Sequence, residues 1–276
     1  MDYTNKGVVI TGAASGIGLA SAIAFSRLGA NVMLSDIEAG ALEAAMAQLV
    51  PVAKGKVQIQ VCDVSRVEDV NQLADAAFEK FGAVHVVFNN AGVGVSGPIT
   101  EMRHQDWQWV MNVNLWGAIH GVEVFASRMV KQGQGGHILF NSSFAGLVYS
   151  PGLGPYCVSK AGVVALAEVL RQELREHGIG VSVLCPMRVA TKIGASGRNR
   201  EADYGSTEAA RELIDPRDPS LPGEIIQPED VVSQILSGIE KNELYIMTHA
   251  AGRQYVSRRF EKVDKSFERQ HPAKRG

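Results

Sequence analysis

The sequence predicts a doubly wound α/β fold, in which helices cover both faces of a parallel sheet. Short apolar runs alternate with longer helical patterns along the 276 residues. Most of the runs are largely apolar, as expected for strands that are buried on both faces. A glycine-rich segment joins the first run to the first helix. Because sheets of this kind bind ligands at the carboxyl ends of their strands, this loop also marks the expected site.

The predicted elements follow one another in strand–helix order, and each helix supplies the crossover to the next parallel strand. The second helix is alanine-rich, and the fourth and fifth are long. In chain order the predicted strands cover residues 8–10, 31–35, 57–61, 84–88, 137–140, 181–184 and 244–247. The predicted helices cover residues 17–28, 39–49, 67–81, 105–130, 156–177 and 229–241.

One stretch breaks the alternation. Residues 193–227 are polar and contain glycines, prolines and many charges. A long irregular segment in a compact domain is usually functional, and this one follows the sixth strand at the ligand-binding edge. We interpret residues 190–227 as a lid over the substrate, with a plain surface insertion as the alternative. The whole chain, residues 1–276, is interpreted as one domain that ends in a helical tail at 250–276.

Composition limits the classes of function. Hydrophobic residues make up 46% of the chain and charged residues 20%, which suits one large globular domain. The formal net charge of -2 gives no electrostatic case for nucleic acid, and the locally basic tail is interpreted as a solvated helix face. No signal peptide and no bilayer-spanning run is present in the sequence, so we expect no membrane association. The cysteines lack metal-ligand spacing and indicate reduced thiols in a cytoplasmic protein without a metal site, namely Cys62, Cys157 and Cys185.

The glycine-rich segment reads Thr11-Gly12-Ala13-Ala14-Ser15-Gly16-Ile17-Gly18. Glycines let the backbone turn tightly and approach a pyrophosphate, and the helix that follows supplies free N–H groups and the positive end of its dipole. The spacing Gly-x-x-x-Gly-x-Gly is a variant of the dinucleotide fingerprint, and it stands between a strand and a helix as that fingerprint requires. The segment therefore predicts a dinucleotide cofactor.

Two aspartates close the next strands. Asp36, at the end of the second strand, can accept hydrogen bonds from both ribose hydroxyls of adenosine and would repel a 2′-phosphate. No Arg or Lys in the glycine loop or directly after Asp36 offsets that repulsion, so we predict NAD rather than NADP. A helix N-cap is the alternative role for Asp36. Asp63 is placed to touch the adenine amino group or to cap the next helix, and Asn89-Asn90-Ala91-Gly92 forms a sharp polar turn beside the cofactor ribose.

Tyr156 and Lys160 stand four residues apart, so they share one face of a helix, and Ser143 lies thirteen residues before the tyrosine. A nearby ammonium favours phenolate, which lowers the pKa of a tyrosine and lets it exchange a proton with an alcohol or ketone oxygen. Alone, the pair also fits a surface tyrosine above a solvated lysine, and Ser143 alone fits a serine that satisfies loop backbone at a strand end.

Taken together, these motifs resemble those of the classical short-chain dehydrogenase/reductase family, in the same order and spacing over residues 11–191. The resemblance implies a single Rossmann-type domain with a seven-stranded parallel sheet. It implies a catalytic tetrad of Asn114, Ser143, Tyr156 and Lys160. It also implies cofactor contacts at Gly12, Ser15, Gly16, Ile17, Gly18, Asp36, Asp63, Val64, Asn90, Ala91, Gly92, Tyr156, Lys160, Pro186, Val189 and Thr191.

The implied roles differ among the four tetrad residues. Tyr156 is the general acid or base, Lys160 lowers its pKa and bonds the nicotinamide ribose, and Ser143 holds the substrate oxygen. Asn114 anchors a water that links Lys160 to solvent; a helix-interior amide bonded to a neighbouring carbonyl is the alternative. The sequence departs from the family after the sixth strand, where Met187 replaces the usual glycine.

The residues expected to face substrate are mostly apolar, which suggests a bulky apolar or aromatic secondary alcohol or ketone. Arg188 either pairs with a substrate carboxylate or forms a salt bridge with the lid. The lid and the last strand are similar to those of bacterial short-chain enzymes that oxidise aryl or alicyclic secondary alcohols. The candidate substrate-binding residues are Ser143, Val95, Leu153, Met187 and Arg188.

The leading hypothesis is an NAD-dependent alcohol dehydrogenase or ketone reductase. A non-catalytic NAD(H)-binding regulatory or scaffold protein is the alternative, and it is disfavoured because such proteins typically lose a tetrad residue. An extended-type sugar-nucleotide epimerase needs a larger C-terminal domain than this chain offers. The fourth and fifth predicted helices carry apolar residues on several faces, and the resemblance suggests that they pair across a two-fold axis in a homodimer or homotetramer.

Overall fold

The computed structural model describes residues 2–205, 211–213, 215, 217 and 223–271. Seven strands form one sheet in the order β3-β2-β1-β4-β6-β7-β9, and every neighbouring pair is parallel. A separate antiparallel pair joins β5 to β8. The strands are β1 (Gly7–Thr11), β2 (Asn31–Asp36), β3 (Val57–Val61), β4 (Val86–Asn89), β5 (Val95–Ser96), β6 (Gly136–Asn141), β7 (Ile179–Cys185), β8 (Arg211–Glu212) and β9 (Tyr245–Met247).

Helices cover both faces of the sheet, which confirms the predicted doubly wound architecture. The α-helices are α1 (Gly16–Arg27), α2 (Ala39–Leu49), α3 (Val67–Phe81), α4 (His104–Met111), α5 (Gly117–Gly121), α6 (Ser127–Gln132), α7 (Gly154–Glu173), α8 (Pro228–Glu240) and α9 (Arg253–Gln270). The helix predicted at 105–130 is interrupted by two π-helical turns, Asn112–Trp116 and Val122–Ala126, which separate α4, α5 and α6. Helix α7 begins two residues before the predicted start, with Pro155 in its first turn.

The apolar strands feed two separate cores because successive side chains point to opposite faces of a sheet. In β1, Val9 packs into the core beneath α3 and α7, whereas Val8 and Ile10 pack into the core beneath α1, α2 and α8. All three side chains are completely buried. This is the reason why β1 is apolar at all three positions, as the parallel-sheet prediction requires.

The strand order reverses between β1 and β4, so the loops that follow these two strands diverge at the edge of the sheet. Hydrogen bonds fix the two loops against each other. The Thr11 hydroxyl oxygen accepts the N–H groups of Asn90 (3.0 Å) and Ala91 (3.1 Å). The Asn90 amide then donates to the Thr11 carbonyl at 2.8 Å. A crevice at such a reversal is where doubly wound sheets bind their ligands.

The predicted lid is partly described. Its first part contains 3₁₀ turns at Ile193–Asn199 and Ala202–Tyr204, and β8 pairs with β5. Residues 206–210, 214, 216 and 218–222 of the predicted lid lie outside the described residues, as do 272–276 of the predicted tail. Helix α9 forms the described part of that tail. Across the part of the chain that the structure describes, no helix combines the length and apolarity needed to cross a membrane.

Candidate active site

The glycine loop forms a cradle with no room for further side-chain atoms. Gly16 has a φ of +55°, a conformation that other residues rarely adopt, and a Cβ there would lie 3.1 Å from the Thr191 methyl carbon. A Cβ on Gly18 would lie only 2.3 Å from the Gly12 carbonyl oxygen. The backbone is therefore open toward the cleft at the N-terminus of α1. This geometry fits the pyrophosphate of a dinucleotide, which needs close backbone approach at a helix N-terminus.

The Asp36 carboxylate is held at the cleft by backbone groups on either side. One oxygen accepts the N–H of Ala14 at 3.1 Å, and the other accepts the N–H of Glu38 at 3.2 Å. The lone pairs that remain on these oxygens can accept hydrogen bonds from ribose hydroxyls. Asp63 also lines the cleft, but its carboxylate accepts the N–H of Ser65 at 2.9 Å, which is the local turn-forming role expected of an aspartate before a helix.

Tyr156 and Lys160 lie on one face of α7, and Ser143 faces them from the loop after β6. The Lys160 ammonium lies 5.6 Å from the centroid of the Tyr156 ring and donates to the carbonyl of Asn141 at 2.8 Å. A Cβ on Gly92 would lie 3.2 Å from the same ammonium, so the polar turn after β4 leaves just enough space for it. The structure thus brings the predicted triplet and the predicted turn together in one cleft.

Burial controls the protonation of this pair. Burial raises the pKa of Tyr156, and the hydrogen bond from Ser143 opposes that change by lowering it. Burial also lowers the pKa of Lys160 to about 8. The tyrosine pKa is therefore raised rather than lowered from its ordinary value, because loss of solvation outweighs the neighbouring groups. A neutral phenol lies beside an ammonium that is largely protonated at neutral pH.

Asn114 lies in the first π-helical turn, and the protein itself engages its amide. The amide oxygen accepts the N–H of Val93 at 2.8 Å, and the amide nitrogen donates to the Val93 carbonyl at 2.9 Å and to Ser159 Oγ at 3.1 Å. These bonds clamp the segment after β4 to the helix. They match the alternative reading of Asn114 as an amide bonded to a neighbouring carbonyl, and a part in proton relay stays a prediction.

The cleft along this edge of the sheet encloses about 1230 Å³, including the part open to solvent. Most of the predicted residues line it: Gly12, Ser15, Gly16, Ile17, Asp36, Asp63, Val64, Asn90, Ala91, Gly92, Ser143, Tyr156, Lys160, Pro186, Met187, Val189 and Thr191. Five others are not among the described residues that line this cleft: Gly18, Asn114, Val95, Leu153 and Arg188.

Three of those five are candidate substrate-binding residues, and their roles at a substrate stay predictions. Val95 is buried in β5 and packs in a small core with Trp109. Leu153 forms a β-bridge with Gly97 ahead of α7. Arg188 donates to the carbonyl of Gly223 at 2.5 Å, toward the end of the predicted lid.

Two apolar residues of the cleft wall, Trp109 and Val113, were not singled out as site residues by the sequence. Val93 supplies a further part of the apolar wall. Met187 lies against Gly252, with its sulfur 3.4 Å from where a Cβ on that glycine would stand, so the tail contributes to its surroundings. Glu38, Arg198 and Asn199 meet at the rim near Asp36. No short-range pattern links residues so far apart in sequence, so sequence inspection had no signal for this contact.

Comparison with known proteins agrees with this geometry. The family model described as short chain dehydrogenase matches residues 6–202. A C alpha-dehydrogenase from Sphingobium is 34% identical over 269 residues, covering 95% of this chain and 86% of that protein. A 1-deoxy-11-beta-hydroxypentalenate dehydrogenase from Streptomyces exfoliatus is 38% identical over 194 residues, covering 69% of this chain and 70% of the relative.

A solved structure extends the likeness to three dimensions. A short-chain dehydrogenase/reductase from Burkholderia phymatum, crystallised in complex with NAD, superimposes with a TM-score of 0.89 at 37% identity and covers 96% of both chains. The apo form of LigD from Sphingobium superimposes with a TM-score of 0.79 at 30% identity, covering 96% of this chain and 98% of that one. The chain therefore belongs to the short-chain dehydrogenase/reductase family of oxidoreductases.

Proposed function

We propose that this protein is an NAD-dependent oxidoreductase that interconverts a bulky apolar or aromatic secondary alcohol and its ketone. One observation carries the proposal: the Tyr156 phenol, the Ser143 hydroxyl and the Lys160 ammonium line the same cleft as the glycine loop and Asp36. A proton-transfer group and a dinucleotide cradle in one cleft are what reversible alcohol oxidation requires.

Each polar group has a separate task in this proposal. Tyr156 gives a proton to the ketone oxygen in reduction, or takes it from the alcohol in oxidation. Ser143 donates a hydrogen bond to the same substrate oxygen and stabilises charge that develops there. Lys160, held by the Asn141 carbonyl, favours the phenolate electrostatically and would bond the nicotinamide ribose of a bound dinucleotide. Asn114 fixes the helix and the Val93 segment that frame these groups.

The protonation state of Tyr156 suits reduction directly. Since burial raises the pKa of Tyr156, the phenol carries its proton at neutral pH and can donate it to a ketone. Oxidation needs the phenolate, which the neighbouring ammonium favours. A bound dinucleotide supplies the hydride acceptor or donor. Asp36 supports NAD over NADP, because its carboxylate would bond the ribose hydroxyls and repel a 2′-phosphate.

The cleft walls support the substrate class. Val93, Trp109, Val113 and Met187 present apolar surface near the tyrosine, which favours a substrate with an apolar or aromatic body. Two relatives are named as dehydrogenases, one of them a C alpha-dehydrogenase, which supports testing secondary alcohols with aryl and alicyclic substituents first.

The test is turnover of a panel of aryl and alicyclic secondary alcohols with NAD⁺, and of the matching ketones with NADH. Tyr156→Phe should reduce kcat/KM by about 10²- to 10⁴-fold, the usual contribution of general acid–base catalysis, and should weaken NAD⁺ binding by no more than about tenfold, the loss of one hydrogen bond. Tyr149→Phe is the matched control, because Tyr149 is exposed and bonds Arg259 instead. Turnover that survives Tyr156→Phe would contradict the mechanism. NAD⁺ binding without turnover of any panel member would favour the regulatory alternative.

We also propose a homodimer or homotetramer. Trp116 on the interrupted helix and Val158 and Val169 on α7 expose large apolar side chains, which a subunit contact would cover. Light scattering at micromolar concentration tests this, and a monomer alone would refute it.

The buried free thiols of Cys62, Cys157 and Cys185 support the predicted cytoplasmic location, which fractionation of expressing cells would test.

A further inference from the structure

We infer that Glu38 is a second determinant of dinucleotide preference, because it holds the Arg198 guanidinium that would otherwise be available to a 2′-phosphate. The inference rests on the proposed use of NAD and adds a residue to Asp36. It concerns the rim of the cleft, where the predicted lid contacts Glu38, two residues after the end of β2.

Two neighbouring residues of the predicted lid, Arg198 and Asn199, contact Glu38 through their side chains. One Glu38 oxygen accepts from Arg198 Nη2 at 2.7 Å, from Arg198 Nε at 3.1 Å and from Asn199 Nδ2 at 2.9 Å. The remaining Arg198 nitrogen, Nη1, donates to the carbonyl of Ala195 at 2.7 Å. All three guanidinium nitrogens of Arg198 are therefore engaged by protein groups.

Glu38 is charged in this contact. Its hydrogen bonds to Arg198 and Asn199, and the nearby charge of Lys192, hold the pKa of the carboxyl below its ordinary value. A carboxylate that accepts several donors strongly favours its ionised form. At neutral pH the positive charge of Arg198 is thus balanced by a full negative charge on Glu38.

This ion pair lies beside the proposed ribose site. Glu38 follows Asp36 by two residues, and its backbone N–H donates to the Asp36 carboxylate at 3.2 Å. Asp36, Glu38, Arg198 and Lys192 all line the same cleft. A 2′-phosphate on an adenosine ribose bound at Asp36 would meet two carboxylates there, while the guanidinium best suited to bind it is already occupied.

Replacing Glu38 removes the negative charge that balances Arg198, and it removes no contact in the hydrophobic core. The side chains of Glu38 and Arg198 are 33% and 39% exposed, and exposed pairs contribute little to folding. We therefore expect Glu38→Gln and Glu38→Ala to fold. Glu38→Gln removes the negative charge that neutralises Arg198 and keeps an acceptor for it, whereas Glu38→Ala also frees Arg198 Nε and Nη2 from the contact. These two nitrogens can then make charge-assisted, bidentate hydrogen bonds to a phosphate, while Nη1 stays bonded to the Ala195 carbonyl.

The test measures dissociation constants for NAD⁺ and NADP⁺ by calorimetry, so that it does not depend on turnover. Glu38→Gln and Glu38→Ala are compared with the parent, and each is also made in an Asp36→Ser background, where the direct repulsion is reduced. We expect each Glu38 change to improve the affinity for NADP⁺ relative to NAD⁺ by about tenfold, which corresponds to one additional charge-assisted hydrogen bond. The gain should be largest in the Asp36→Ser background.

Arg198→Met separates the proposed pairing from a general loss of negative charge. If Glu38 acts through Arg198, the gain from Glu38→Ala should vanish when Arg198→Met is also present. An equal gain with and without Arg198, or no gain in either background, overturns the inference while the NAD preference stands. A parent protein that binds NADP⁺ more tightly than NAD⁺ overturns both the proposed preference and this inference.

Discussion

A buried histidine in β6 predicts how the protein loses stability in acid. His137 Nε2 lies 2.8 Å from Ser182 Oγ, and the Ser182 hydroxyl donates its hydrogen to the carbonyl of Glu243. Ser182 must therefore accept from the Nε2–H of a neutral imidazole, which leaves Nδ1 without a proton. Burial, together with the charge of Arg171, lowers the pKa of His137 to about 4. A second proton would create an unpaired charge inside the protein.

The magnitude follows from proton linkage. An unfolded histidine has a pKa of about 6.5, so at lower pH the unfolded chain binds a proton that the folded chain does not. The stability that His137 contributes is fully present above about pH 6.5 and is lost as the pH falls from there toward about 4. Each pKa unit corresponds to about 1.4 kcal/mol, so the loss is about 2 kcal/mol at about pH 5 and on the order of 3 kcal/mol below about pH 4.

The assay is urea unfolding of the parent and of His137→Gln at about pH 8 and about pH 5. Glutamine retains a donor for Ser182 but cannot titrate, so the variant should be less stable at the higher pH and should lose about 2 kcal/mol less between the two. His85, whose pKa burial also lowers, is present in both proteins and cancels in the comparison. His177→Gln is the control, because His177 is exposed. Equal acid losses in the parent and in His137→Gln would refute the reasoning.

Two further predictions concern the glycine loop and the predicted lid. Gly18→Ala places a Cβ 2.3 Å from the Gly12 carbonyl oxygen, so it should weaken NAD⁺ binding by at least about tenfold in a calorimetric titration. Gly40→Ala is the control, because a Cβ there meets nothing within 4 Å and should leave the affinity unchanged. Equal affinities of the two variants would contradict the proposal that the glycine loop holds the dinucleotide. Arg200→Met leaves the fully buried Asp106 carboxylate without its guanidinium partner at 2.6 Å, and should lower the free energy of unfolding by about 3 kcal/mol in urea. A loss below about 1 kcal/mol, typical of an exposed pair, would show that this contact does not hold the lid segment.

The sequence predicted those parts of the site that depend on position along a strand or a helix. Asp36 ends a strand and so lies at the ligand-binding edge, and four-residue spacing puts Tyr156 and Lys160 on one helix face. It carried no signal where the surroundings of a side chain depend on distant packing. Val95 follows the fourth strand closely, and pairing with β8 and packing on Trp109 bury it in a small core that shares Trp109 with the cleft wall. No local pattern carries that information, because the partner strand lies in the middle of the predicted lid.

Because contacts between distant residues leave no local pattern, sequence inspection treated cofactor recognition and substrate covering as tasks of separate segments. In the structure, one segment contacts the surroundings of both proposed sites. Within five residues of the predicted lid, Ser196 bonds the Gly94 backbone beside Tyr156, Arg198 bonds Glu38 at the cofactor rim, and Arg200 bonds Asp106 on α4. One short segment thus contacts the edge of the catalytic cleft, the loop after β2 and the helix that supplies the apolar wall. If the proposed cofactor and substrate sites are correct, we expect a substitution that shifts this segment to alter dinucleotide affinity and substrate KM together. Changes that tune the proposed substrate pocket would then be constrained by the cofactor.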